Sequence, residues 1–406
     1  MFSYAYHQCY YFPTVEEGKL IKNCQPYRAI GVNYFDAFLR TIKNPEDNSY
    51  KEGFRILKEY NIPFARVAIG GFWPSDWKLY LTNKEKYFEL LDEFIKSAEE
   101  YKIGLVVDFF WNVSTVPDIV GEPVSALGDK DSKTIEFIKT FTREVVSRYK
   151  DSPAVWVWEF GNEYSNVIDL PGDKYPKVAP QYGTPAFRTE KDKLRWRDVI
   201  SAFIIFADTV RDIDKLRPLS TGNSIPRPFA YHLAFYGKWE RDTSQQFLYM
   251  LKLLNPDSYE LISVHLYPPA VGQYFSDIKL QSFSELVSFL MDASRRYNKV
   301  LFVGEFGVCR TPEHAKTVEE EKQKFKKMLD AIYSSEVPLS AIWVFDRRLA
   351  KDPCNVYVDN DRVYQLKFVS EVNKKILKKE VSDGREEELS GGWDIHYWSS
   401  QWCCKN

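Results

Sequence analysis

Eight short apolar runs, each followed by a longer amphipathic stretch, predict an α/β protein whose strands close into a (β/α)8 TIM barrel. Two further observations narrow the choice. Several of the runs are continuously apolar rather than alternating, as parallel strands covered on both faces require. The first run continues as Gly31-Val-Asn-Tyr-Phe, without the glycine-rich phosphate turn that an open doubly wound sheet would carry there.

The strand candidates are Ala29–Asn33, Phe64–Ile69, Gly104–Phe109, Val155–Phe160, Pro218–Thr221, Leu261–His265, Val300–Val303 and Ala341–Phe345. Helical patterns separate them at Tyr50–Tyr60, Lys84–Tyr101, Ser132–Tyr149, Lys193–Ile213, Thr243–Leu254, Ser282–Tyr297, Val318–Ser334 and Tyr364–Lys378. The clearest is Lys84–Tyr101, where Tyr87, Leu90, Leu91, Phe94, Ile95, Ala98 and Tyr101 fall on one stripe. Ser282 with Glu285 reads as a capping box. Residues 1–28, turning at Glu17-Gly18-Lys19, read as a hairpin plugging the barrel bottom, within one domain spanning 1–378. Residues 379–406 read as a C-terminal tail or cap. The Pro/Gly-bearing connection Tyr164–Glu190 falls on the C-terminal rim, where barrels bind substrate.

Composition excludes several classes. Of 406 residues, 44% are hydrophobic and 28% charged, an ordinary globular balance. Lys plus Arg number 55 against 57 Asp plus Glu, so no strong field draws nucleic acid or an anionic membrane. No apolar run approaches the ~18 residues of a spanning helix. Met1–Val15 lacks the basic and apolar regions of a leader, so a cytoplasmic protein or a secreted mature form is expected. Six cysteines show no CxxC spacing and five histidines no HxH or HExxH, so neither metal nor organic cofactor is expected. Cys9 and Cys24 can pair across the hairpin or stay free, and Cys309 reads as a small packed side chain. Aromatic residues reach 16%, a surplus to be divided between packing and a rim surface.

The chemistry lies at two strand ends. The fourth strand runs Val155-Trp-Val-Trp-Glu-Phe-Gly-Asn162-Glu163, and the seventh runs Val300-Leu-Phe-Val-Gly-Glu305. One strand-end glutamate is ordinarily a cap or a rim ion pair. Two, on strands that face each other across a barrel, can converge as the carboxylate pair of a glycosidase, where the spacing decides between retention and inversion. Glu159 reads as supporting, Trp156 and Trp158 as packing against helices, and Asp108 and Asp346 as rim carboxylates without a role.

This pattern resembles the retaining glycoside hydrolases of clan A, most closely the cellulase family, glycoside hydrolase family 5, over about residues 27–378. The resemblance implies Glu163 as acid/base with Asn162 beside it, and Glu305 as nucleophile. It further implies supporting or substrate-binding roles for Arg66 on strand two, His265 and Tyr267 after strand six, and Trp343 ending strand eight. Many members carry a His near the end of strand three; this chain has Trp111 and Asn112 there, and Asn112 is expected to hydrogen-bond in its place. Trp343, Trp111, Trp73 and Phe72 are the candidate sugar platforms. Arg66 is expected to keep Glu305 ionised, and Glu163 to titrate high once Glu305 is negative. The implied reaction is double-displacement hydrolysis of an oligo- or polysaccharide, a β-1,4-linked glucan first and a mannan second. The alternatives are another β-glycosidase of the same mechanism, a carbohydrate-binding barrel without activity, and a metal-dependent hydrolase, the last disfavoured by the absent His pairs.

Overall fold

The computed structural model describes residues 9–171, 174–268 and 274–382; the expectation for the C-terminal stretch from 383 on lies outside these residues. At its centre are eight parallel strands: β1 (Ala29–Asn33), β2 (Phe64–Ala68), β3 (Gly104–Phe110), β4 (Val155–Gly161), β5 (Leu219–Ser220), β6 (Leu261–Leu266), β7 (Val300–Phe306) and β8 (Leu339–Ile342). Their hydrogen-bonded order is β5-β4-β3-β2-β1-β8-β7-β6, so β8 returns to β1 and the sheet curls into the expected (β/α)8 barrel. Between β5 and β6 a side chain replaces the ladder. Asn255 Oδ1 accepts from the Thr221 hydroxyl and from the Ser263 amide, each at 3.0 Å. Glu260 closes the lower end by accepting the Leu219 amide at 2.9 Å.

The outer layer is α1 (Tyr50–Glu59), α2 (Lys84–Tyr101), α3 (Lys133–Tyr149), α4 (Trp196–Arg211), α5 (Ser244–Leu253), α6 (Phe283–Arg296), α7 (Val318–Ser334) and α8 (Val363–Ser382). Asn83, Ser132, Thr243, Ser282 and Thr317 each start their helix by accepting the amide three residues on, satisfying a donor that the helix leaves free. At Ser282 the box is half formed, because Glu285 reaches back to the Gln281 amide instead. Short helices at Ala37–Lys43, Lys78–Thr82, Thr115–Val120 and Ala230–Tyr236 were not anticipated, since two turns or fewer carry little periodicity.

Three sequence expectations shift. The eighth strand pairs from Leu339 to Ile342 rather than 341–345, and Phe345 bridges Val356 instead. Pro218–Thr221 contracts to Leu219–Ser220. Trp156 does not face the helices: a bulge where Leu105 and Val106 face Val155 and Val157 breaks the alternation, and the indole turns under the barrel. There it stands edge-on to Tyr27, in space left by Gly104, where a Cβ would come within 2.1 Å of the indole. Trp158 does pack outward, on Phe109 and with its Nε1 donating to Asp214 at 2.9 Å.

Under the barrel lie three short strands where a two-stranded hairpin is expected, and residues 1–8 of that expectation lie outside the described residues. Strands Thr14–Glu16, Lys19–Lys22 and Gln25–Pro26 form a small sheet, and Cys9 is disulfide-bonded to Cys24. Leu20, with half-buried Phe12, Val15 and Tyr27, packs under Phe64, Trp156 and Phe302. Among the described residues no helix is long and apolar enough to cross a membrane.

Candidate active site

The inward-facing residues at the upper strand ends converge on Arg66, which is fully buried. Its Nε donates to Glu159, its Nη1 to Asn33 Oδ1 (3.0 Å) and Glu305 Oε1 (2.9 Å), and its Nη2 to Asn162 Oδ1 (2.8 Å). Asp108 lies opposite Glu159 in the β3–β4 register, with Oδ2 3.8 Å from Arg66. Three carboxylates therefore surround one guanidinium in a buried interior. Burial first, then the charge of Glu159, pushes the Asp108 carboxyl well above its usual range. Asp108 and Glu159 thus belong to the floor of the site. Asp346, the other spare carboxylate, accepts from the Tyr34 hydroxyl (2.8 Å) and from Arg40 and Arg348, which fixes the loop after β8.

Both strand-end glutamates are aimed by local backbone. In β7 the register with β6 slips between Val303 and Glu305, and this bulge turns the Glu305 carboxylate inward. Its Oε2 accepts from the Tyr267 hydroxyl at 2.7 Å. Glu163 follows β4 in the left-handed region, φ 54°, and its amide donates to the Gly222 carbonyl at 2.9 Å. Gly222 has φ 67°, and a Cβ on it would lie 1.7 Å from the Gly161 carbonyl oxygen, so only glycine allows β5 to support Glu163 this closely.

His265 links the two acids. Its Nδ1 is 2.8 Å from Glu163 Oε1 and 3.5 Å from Glu305 Oε1, and an oxygen of each glutamate falls within 4.8 Å of the other. Oxygens this close sit on the side of the ~5–5.5 Å carboxyl spacing of retaining glycosidases and not of the wider gap that admits a water. These three residues also carry metal-ligand atoms, but Arg66 already donates to Glu305 Oε1 at 2.9 Å, so a cation bound there would face a guanidinium across the same oxygen.

The acidities run opposite to the sequence expectation. Burial pushes the Glu305 carboxyl above the usual carboxylate range, with Glu163 adding to the rise and His265, Arg66 and Tyr267 only partly offsetting it. Burial also raises Glu163, but the hydrogen bond and charge of His265, with Arg66, more than reverse this, and the group sits below its ordinary value. Arg66 is shared among Glu159, Asp108 and Glu305, so its charge only partly offsets the burial of Glu305.

Aromatic rings line the mouth. Trp111 covers Arg66 at 4.4 Å and meets Trp343 at 6.1 Å, while Phe35 touches both. Trp343 donates its indole N–H to Asp352 Oδ2 at 3.3 Å. Asp352 is held in turn by the Cys354 amide and by Arg347, and Cys354 is bonded to Cys309. Cys309 is thus half of a disulfide, not a packed thiol; its partner is 45 residues away, a pairing that spacing alone does not single out. Trp73 stands further out, stacked on Tyr182 at 5.6 Å, with Phe72 between it and Phe35. Asn112 follows Trp111, and its Oδ1 accepts the Ser114 amide at 3.3 Å just ahead of helix Thr115–Val120.

Sequence reasoning missed Asn33, Gly222, Asp352 and His314, which stacks on the Tyr267 ring at 6.0 Å. Asn33 was within reach: it ends β1 on the same inward face on which Arg66 lies in β2, and the two are paired in register.

The cellulase model, glycosyl hydrolase family 5, matches residues 21–345. The chain belongs to this family. Among curated proteins, a probable mannan endo-1,4-beta-mannosidase F from Aspergillus flavus is 28% identical over 137 residues, covering 29% of this chain and 28% of the relative. A probable mannan endo-1,4-beta-mannosidase A-1 from Aspergillus terreus is 32% identical over 127 residues, covering 27% and 31%. The chain thus spans under a third of the length of these relatives. Among solved structures, an endo-1,4-beta-mannanase from Rhizomucor miehei superposes with TM-score 0.64 at 14% identity, covering 90% of this chain and 99% of that one. A beta-glucanase from Saccharophagus degradans in complex with cellotetraose gives 0.55 at 14% identity, covering 91% and 94%. These likenesses carry the fold.

Proposed function

We propose that this family member hydrolyses β-1,4-linked mannan with net retention, through Glu305 as nucleophile and Glu163 as acid/base. The observation that carries the reading is the glutamate pair within 4.8 Å, with His265 between them. Arg66 and Tyr267 hold one oxygen of Glu305 each, which fixes the carboxylate for attack on the anomeric carbon. Glu163 has a side chain 32% exposed, so a bound sugar strips water from it and favours its protonated form. The proton passes to the departing oxygen as the glycosyl–Glu305 bond forms. Charge on Glu305 is then neutralised, and ionised Glu163 takes a proton from the water that breaks the ester. Asn162, its Oδ1 occupied by Arg66, keeps its amide N–H groups for a sugar hydroxyl, and Trp343, with its N–H tied to Asp352, offers a fixed ring to the pyranose.

Mannan is put ahead of glucan because the curated relatives are named for it. A β-1,4-glucan is the second reading, favoured by the glucanase neighbour solved with cellotetraose. A 2-deoxy-2-fluoro-β-mannoside and its glucose counterpart should each be offered to the protein, with peptide mass spectrometry reading the label. Labelling of Glu305 by the mannoside first is expected. Labelling of another residue, or product NMR showing the inverted anomer, sinks the mechanism; preferential labelling by the glucoside replaces the sugar. Absence of turnover on every β-glycan would leave a carbohydrate-binding barrel.

A further inference from the structure

We propose that the exposed rings of Phe235, Tyr236, Trp239 and Tyr249 form a second, non-catalytic platform on which a neutral β-linked glycan chain lies, the same polymer cut between Glu163 and Glu305; this rests on the glycosidase reading above. These side chains are 37%, 61%, 51% and 49% exposed, unusual for such large rings clustered within fifteen residues of chain. Three of them, Phe235, Tyr236 and Tyr249, are connected through Tyr231, while Trp239 stands beside Phe229 at 5.8 Å. Tyr231 contacts Phe235 at 4.8 Å, Tyr236 at 6.2 Å and Tyr249 at 5.7 Å, and Phe235 reaches Tyr249 at 5.9 Å. Trp196, at the start of α4, extends the surface from Phe235 at 5.8 Å.

The chemistry favours sugar. Every large hydrophobic residue exposed between 229 and 249 is aromatic, while the aliphatic Leu233 and Leu248 are buried. Flat rings present faces to the C–H faces of pyranoses, and the phenol and indole groups add hydrogen-bonding edges. Charges of both signs surround the rings: Lys238 lies 3.5 Å from Glu240, Asp242 adjoins the His232 ring, and the Lys174 ammonium lies 5.7 Å over Trp239. Such a balanced border suits an uncharged chain. Position points the same way. Helix Ala230–Tyr236 belongs to the rim connection after β5 and begins eight residues beyond Gly222, whose carbonyl holds the Glu163 amide. Trp196 is joined to the connection after β4 through its amide and Asp169. The rings therefore share the rim with the catalytic cleft, continuous with the backbone that supports it. A polymer held there is presented to the cleft at raised local concentration, whereas a short oligosaccharide gains nothing from it.

The test uses the full chain, a Trp239→Ala/Tyr236→Ala double variant, and a separate Tyr249→Ala variant on the neighbouring helix. Sedimentation with insoluble linear mannan and with cellulose reads polymer binding, and soluble mannooligosaccharide turnover reads the cleft and reports correct folding. The double variant should bind polymer at least ~10-fold more weakly and lose a similar factor in kcat/KM on the insoluble glycan, with soluble turnover kept within about twofold. Tyr249→Ala should weaken polymer binding in the same direction. Unchanged polymer binding in both variants overturns the platform. So does a dimeric full chain that becomes monomeric in the double variant, because a second copy then covers the rings. If the full chain turns over no β-glycan, the glycosidase reading itself fails, an outcome distinct from active variants with undiminished binding.

Discussion

Removing the Tyr267 hydroxyl isolates one interaction of the candidate nucleophile. In Tyr267→Phe the ring stays in place, because it stacks on His314 at 6.0 Å and 19°, a contact that does not involve the hydroxyl. What disappears is a hydrogen bond of 2.7 Å to Glu305 Oε2. A hydrogen bond to a charged group contributes about 1.5–3 kcal/mol, so loss of the full amount from the transition state for glycosylation predicts a fall in kcat/KM of roughly 10- to 150-fold. The sign of the accompanying pH effect follows from the same bond. Tyr267 works against the burial that raises Glu305, so its loss raises the carboxyl further. Glu305 must be ionised to attack, and the acid limb of the kcat/KM profile should therefore move to higher pH. Steady-state rates on an aryl β-mannoside from pH 4 to 9 would measure both effects, with a thermal melt to exclude unfolding. An unmoved acid limb together with kcat/KM within twofold of the parent would falsify the assignment of Glu305 as the group that Tyr267 orients.

Other perturbations give equally defined outcomes. Gly222→Ala places a Cβ 1.7 Å from the Gly161 carbonyl oxygen at φ 67°, and left-handed strain plus overpacking should cost about 2–5 kcal/mol in urea unfolding, with turnover falling as Glu163 shifts. Cys354→Ser opens a loop of 45 residues, for which chain entropy predicts a loss of about 4 kcal/mol, and KM should rise as Asp352 and Trp343 loosen. Asp169 is pushed up to about 6, chiefly by burial. The folded protein thus holds this proton more tightly than the unfolded chain, and ionisation between pH ~4 and ~6 should remove up to about 3 kcal/mol of stability. In Asp169→Asn that part of the pH dependence should be absent from denaturation midpoints.

The strands were legible because burial on both faces leaves continuous apolar runs such as Val300–Val303, and helices such as Lys84–Tyr101 and Val318–Ser334 because one apolar stripe repeats over four or more turns. The candidate acids were legible because they end such runs. What stayed hidden is set by departures from strict alternation and by contacts between distant segments. A bulge decides that Glu305 faces inward and that Trp156 turns under the barrel, and no local pattern marks either. The acidities depend on how one guanidinium is divided among three carboxylates from β3, β4 and β7, a count that exists only after folding. Cys309 and Cys354 come together because the connections after β7 and β8 meet above Trp343. The aromatic surplus separated only when the rings were placed, some under the barrel, some over Arg66 and some on the rim beyond α4.

A ring of strands joined all round by main-chain bonds shares strain evenly, but this one is completed between β5 and β6 by two side chains, Asn255 and, at the lower end, Glu260. Asn255 ties Thr221 to Ser263, and Thr221 is next to Gly222, on which Glu163 hangs. Opening of the cylinder at that stitch would reach, within two residues, the backbone that holds Glu163. Warming should accordingly silence the protein before it melts, with the Ser263 amide exchanging its hydrogen ahead of those in β3 and β7.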